Sequence, residues 1–170
     1  MDAPLEISAR APVGVLCALP EELGRLPRGA ERERSELGLD VLRLELAGRP
    51  VLACAAGVGK VRAALGAAAL ICGGARGALL VVGVCGGLRR GLGAGTLVHC
   101  TRAVQADLAV REEREVEPDP GLRDAWCEAA PGERGWFLTA DRPALSVWRQ
   151  AQPAPDRERG PACSGPPCAR

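Results

Sequence analysis

Apolar residues come in short runs separated by polar or glycine-rich breaks. VGVLCAL (residues 13–19) reads as a short buried strand. PEELGRL (residues 20–26) reads as a helix start, with a proline in its first turn and two acids beside the positive end of the helix dipole. AERERSELG follows as a polar, solvated connection. LDVLRLELAGRPVLACAAG then alternates Val41, Arg43 and Glu45 with Leu42, Leu44 and Leu46, turns through Ala47, Gly48, Arg49 and Pro50, and runs apolar again. This pattern predicts a hairpin whose second strand is the more buried. VGKVRAALGAAALICGG (residues 58–74) is alanine- and leucine-rich and ends in a glycine pair, a helix with a stop signal. ALLVVGV predicts a fully buried strand and TLVHCTRAV another strand, EEREVEPDPGLRDAWCEAA an acidic loop and a helix, and RGWFLTAD a strand ending at Asp141.

Strands alternating with helices predict an α/β fold with a largely parallel core. The predicted twisted sheet takes strands near residues 13–19, 41–47, 50–56, 78–84, 96–104 and 134–139, with helices near 58–73 and 119–130. Sheets of this kind bind ligands at the carboxyl ends of their strands. Three glycine-rich or turn-forming tips fall at such ends, at residues 18–22, 56–60 and 83–87. Glycine clustered at a strand tip marks backbone that turns sharply or approaches something closely.

At 170 residues, a single domain burying roughly 70% of its unfolded surface is expected. A net charge of +1, from 22 basic and 21 acidic residues, supplies no electrostatic reason for a nucleic-acid or membrane partner. Eight cysteines are present, but no C-x-x-C pair occurs and His99 is the only histidine, so zinc spacings are absent and no metal is expected. Most of the cysteines sit in apolar runs, where a thiol behaves as a small hydrophobe. No secretory signal and no apolar run near the roughly 20 residues of a membrane span is found, and a reduced, cytoplasmic protein is expected. Beyond about Val147 neither period survives. The expected organisation is a flexible N-terminus at 1–12, a domain at 13–148, and a disordered tail at 149–170.

Known nucleotide motifs fail. AGVGKVRAAL has Arg62 where a dinucleotide fingerprint needs its third glycine, and Val61 where a Walker loop needs Ser or Thr. Either tip alone is ordinarily just a strand-to-helix turn. In order, however, VGVLCALPEEL, AGVGKVRAALGA and VVGVCGGLRRGLGAGTLV resemble the opening blocks of the nucleoside phosphorylase/nucleosidase superfamily, most of all the methylthioadenosine/adenosylhomocysteine nucleosidases. The resemblance covers residues 13–104 and, more loosely, FLTADRP. It implies a three-layer αβα arrangement around a central twisted mixed sheet, incomplete at the C-terminus. It also implies cleavage of the N-glycosidic bond of a purine nucleoside, a small-molecule nucleoside partner, no cofactor, and a homodimer. Glu22 matches the acid that holds the attacking water against the ribose. Val58 matches an apolar residue beside the 5′-substituent, with Gly59 opening the supporting helix. Val84, Cys85 and Gly86 match the loop beneath the ribose, where a Cβ on Gly86 would collide with the sugar.

Hydrolysis of methylthioadenosine or adenosylhomocysteine is the expected activity. A phosphorolytic relative or a futalosine-type hydrolase is the alternative enzyme, and a non-catalytic nucleoside-binding module the alternative of another class. Val84 replaces the hydroxyl residue common at its position, which speaks against tight phosphate binding. Gly95 and Thr96 replace the usual GD. The family's E-M-E and S-D segments, which clamp the ribose and protonate the purine, have no counterpart after Val147. Asp141 could substitute as the acid, but a turn or cap role is usual for Asp at a strand end. The expectation is therefore an incomplete, frame-shifted gene product whose activity the missing blocks leave open, with a genuine disordered extension as the other explanation of the tail.

Overall fold

A two-residue turn closes the expected hairpin. In the computed structural model, which describes residues 11–26, 28–89, 91–107 and 114–140, Ala47 (φ 50°) and Gly48 (φ 74°) both take positive φ. That is the backbone a tight hairpin needs to follow the strand twist. It joins β3 (Asp40–Leu46) to β4 (Arg49–Ala55). The chain divides into two compact units, Met1–Cys85 and Gly86–Arg170.

In the first unit, β1 (Val13–Cys17), β2 (Glu31–Arg34), β3, β4 and β5 (Ala78–Val81) form a five-stranded sheet in the order β2-β3-β4-β1-β5. β1 runs parallel to both β4 and β5, while β2, β3 and β4 pair antiparallel. Alternate residues feed two cores, one on each face. Leu16, Val41, Leu52 and Cys54 pack with Ala69 and Leu70 of α1 (Lys60–Cys72). Val15, Cys17, Leu42, Val51 and Ala53 pack with Leu23 on the other face. Period-two alternation therefore separates two interiors here, with Val41 buried on one face and Leu42 on the other.

The glycine pair ends α1 as expected. Gly74 takes φ 105° and donates to Ile71 O, while Ala75 N donates to Leu70 O, so the last carbonyls are satisfied by a Schellman turn. Two local readings are corrected. The helix expected over 20–26 is a single 3₁₀ turn, Pro20–Leu23, because Gly24 leaves helical space at φ 56°. The polar connection contains β2, a fully exposed edge strand held by Arg34–Asp40 (2.8 Å) and Glu33–Arg43 ion pairs. Its Glu-Arg-Glu-Arg alternation also guards the edge. In two-fold antiparallel pairing with a second copy, opposed residues share a face, so Glu would oppose Glu and Arg would oppose Arg.

In the second unit, β6 (Val98–Gln105) pairs parallel with β8 (Glu133–Thr139) and antiparallel with β7 (Glu115–Val116). α2 (Pro120–Ala129) provides the crossover, its start capped by Asp119, which accepts from Leu122 N at 2.8 Å. Buried His99 has Nε2 2.7 Å from Ala130 O at the helix end. Arg102 stacks over Trp136 and pairs with Glu115 and Glu117. The α/β class and the mixed sheet are as expected, but the strands at 98–139 form this second sheet of their own. The local β-α-β crossover supplies β6 with its parallel partner. Asp141, the 149–170 tail and residues 1–10 lie outside the described residues. Among the described residues no helix is long and apolar enough to cross a membrane.

Candidate functional site

Parallel pairing brings the carboxyl ends of β4, β1 and β5 side by side, and the ladder continues past them. Ala56 N donates to Cys17 O (3.0 Å), Gly57 N to Ala18 O (2.9 Å) and Val82 N to Leu16 O (2.9 Å). The three tips singled out in the sequence thus begin on one edge of the first unit.

Glu22 ties two of them together. Pro20 starts the 3₁₀ turn, and Glu22 sits at its third position with its side chain reaching back to the N-terminal end. Oε2 accepts from Ala18 N and Leu19 N, both at 2.9 Å, and Oε1 accepts from Val84 N at 3.0 Å. This is half of a capping box; Leu19 has no side-chain acceptor to return the bond. Amides from two tips therefore converge on one carboxylate.

Those amides set its charge. The Leu19 N–H, then the Val84 N–H, hold the Glu22 carboxyl below the usual range against a smaller opposing effect of burial, with Ala18 adding in the same sense. A depressed folded pKa means that the hydrogen bonds contribute stability above the unfolded value, and that this is lost as pH falls through the folded one. At neutral pH Glu22 is an acceptor and not a proton donor. Beneath it, burial first, then the Glu22 and Cys54 charges, push the Cys17 thiol up to about 11. Cys17 is a neutral group donating to Leu19 O (3.2 Å) and is no nucleophile.

Glycine at residue 83 has a direct explanation. A Cβ there would lie 2.9 Å from Glu22 Oε1 and 3.2 Å from its Cδ, so the carboxylate rests on a bare α-carbon. The sequence places Gly83 in a glycine cluster that turns sharply or approaches something closely, but the resemblance puts that contact at Gly86, and neither points to the amides of Ala18 and Leu19. The signal was the acid four residues beyond Ala18, at the spacing of a turn that folds back on its own start.

Val84 is joined to Glu22 through its amide, and its side chain is 84% exposed. Val58 is 74% exposed and Gly59, at φ 112°, precedes α1; both follow Gly57, which is bonded to the first tip. Cys85 is exposed at the end of the first unit, and Gly86 is exposed at the start of the second. A cleft of about 330 Å³ lined by Arg25, Leu26, Arg28, Gly29, Leu44, Glu45 and Leu46 includes none of the tip residues. Among the described residues no His, Cys, Asp and Glu side chains group in a way that could hold a metal.

Comparison with known proteins agrees with this architecture. The family model of the phosphorylase superfamily matches residues 12–158, a span that takes in both units. A Helicobacter pylori MTAN mutant solved with 5′-methylthioadenosine in its active site superposes with a TM-score of 0.72 at 20% identity, covering 82% of this chain and 69% of that one. Streptococcus pyogenes S-adenosylhomocysteine nucleosidase, in complex with 5-methylthiotubericidin, gives 0.72 at 20% identity, covering 84% and 68%. A futalosine hydrolase mutant of Helicobacter pylori gives 0.69 at 20% identity, covering 82% and 69%. Likeness at this identity shows the fold. No curated protein sequence matches the chain.

Proposed function

Because the chain belongs to the phosphorylase superfamily, we propose that Glu22 holds the attacking water in hydrolysis of the N-glycosidic bond of a purine nucleoside, with methylthioadenosine or adenosylhomocysteine as substrate. The observation that carries this reading is the fixing of the Glu22 carboxylate by three amides, with one acceptor position left over. Two amides occupy Oε2 and one occupies Oε1, which leaves an acceptor position on Oε1 for a water O–H.

A carboxylate stabilised by three amides is a weak base, and that suits this reaction. As the bond from the sugar C1′ to the purine nitrogen breaks, its electron pair leaves with the base and the sugar becomes oxocarbenium-like. Water then adds to a strongly electrophilic carbon and needs orientation more than activation; as the C–O bond completes, its now acidic O–H proton passes to the Glu22 carboxylate that holds it. Glu22, held ionised, is not the acid that protonates the leaving purine; that proton comes from another group. Val84 offers no hydroxyl for a phosphate ion, which favours hydrolysis over phosphorolysis. One structural neighbour holds 5′-methylthioadenosine in its active site and another is an S-adenosylhomocysteine nucleosidase, which supports the purine nucleoside class.

The purified chain, supplied with methylthioadenosine or adenosylhomocysteine, is expected to release adenine at the same rate with and without phosphate. A requirement for phosphate would replace this reading with phosphorolysis. Calorimetric binding without adenine release would replace it with a nucleoside-binding module.

A further inference from the structure

Arg62 is used by nothing in the chemistry assigned to the strand tips, although it lies against one of them. It sits in the first turn of α1 and is exposed. A Cβ at Gly57 would come 2.9 Å from Arg62 Nε, 3.5 Å from Nη2 and 3.7 Å from Cγ, so both stem and guanidinium lie along that glycine. Gly57 N donates to Ala18 O, and Ala18 N donates to Glu22 Oε2. Arg62 therefore lies against the turn that bonds to the one carrying Glu22.

That cation is not there to balance Glu22. The downward shift of the Glu22 carboxyl comes from the backbone amides of Leu19, Val84 and Ala18. Arg32, Arg34, Arg43, Arg102 and Arg123 each pair with an acid; Arg62, like Arg25, Arg28 and Arg76, has no carboxylate partner among the described residues, and of these four it is the one that lies against a strand tip. Its guanidinium fork is also the shape that receives two oxygens of a carboxylate or phosphate, and a stem already resting on Gly57 loses little freedom in doing so.

We propose that Arg62 is a specificity-determining residue that receives an oxyanion of whatever occupies the site beside Glu22, a carboxylate borne by the nucleoside or free phosphate bound with it. The proposal rests on the nucleoside reading above. It makes the broken glycine fingerprint at residue 62 a gain of charge selection.

The test is calorimetric titration of the full chain and of Arg62→Gln with methylthioadenosine, which carries no anionic group, with adenosylhomocysteine, which carries a carboxylate, and with inorganic phosphate. Glutamine keeps the stem over Gly57, and equal melting curves verify the fold. The expected result is an affinity for adenosylhomocysteine weakened about tenfold with that for methylthioadenosine unchanged, and partial recovery in Arg62→Lys. Loss of phosphate binding in Arg62→Gln, with both nucleosides unaffected, supports the proposal with free phosphate as the oxyanion. Methylthioadenosine binding accompanied by an unchanged ratio between the nucleosides, and unchanged phosphate binding, overturns the role of Arg62 and leaves the nucleoside reading intact. Failure of all three ligands to bind the unaltered chain overturns both.

Discussion

Replacing Glu22 by alanine is expected to lower the rate of adenine release by about 10²-fold, the scale of a lost positioning contact, or about 3 kcal/mol of barrier. The cost in stability is far smaller. The three amides that lose their acceptor lie at exposed or partly buried positions, where water replaces the carboxylate, so about 1 kcal/mol is expected. Glu22→Gln is no neutral control. A carboxamide presents a single acceptor oxygen, and its NH₂ would face either the Ala18 and Leu19 donors or the Val84 donor. Steady-state kinetics beside a urea melt separates the two effects. A loss of activity that merely tracks unfolding would remove Glu22 from the chemistry.

Gly66→Val is expected to destabilise the first unit by about 3 kcal/mol through overpacking. A Cβ at residue 66 would lie 2.6 Å from both Ala56 Cβ and Leu16 Cδ1, the side chains on which α1 rests. Removing glycine from a helix interior returns somewhat less than about 1 kcal/mol, so the clash wins. Ala56 is also the first residue of the second tip. Relief of the clash therefore displaces the segment that bonds to Ala18. A denaturation midpoint equal to that of the unaltered chain would show that α1 is not packed on β1 and β4 as described.

Both expectations concern places where the sequence was legible in part. Short apolar runs revealed β1, β4 and β5: β1 and β4 are mostly buried, which leaves little room for polar residues, whereas β5, expected to be fully buried, is only partly so and ends in the exposed Val81. The glycine pair at 73–74 marked the end of α1, since the left-handed turn it needs excludes most side chains. β2 carried no such signal: every residue in it is charged and exposed, and it is held by the ladder to β3 and by ion pairs. β7 is two residues long and owes its place to β6. The division of the strands into two sheets depends on which strands pair, and neither period nor composition encodes that.

The site divides in the same way. Glu22 and Val84 were legible because their blocks recur in order with fixed spacing. How they meet was not, because an amide donates identically whatever side chain it carries. Ala18, Leu19 and Val84 have nothing in common as side chains; they are related by where the ends of β1 and β5 bring their N–H groups. Gly83 is likewise explained only by the carboxylate lying on it.

Convergence of two tips on a single ionised carboxylate is the central claim, and a pH titration of the backbone amide resonances in a ¹H–¹⁵N spectrum tests it directly. The amides of Ala18, Leu19 and Val84 should move together with one midpoint below the ordinary glutamate value of about 4.3, and the common transition should vanish in Glu22→Ala. A Val84 amide that does not follow the other two, or a shared midpoint at or above the ordinary value, would contradict it.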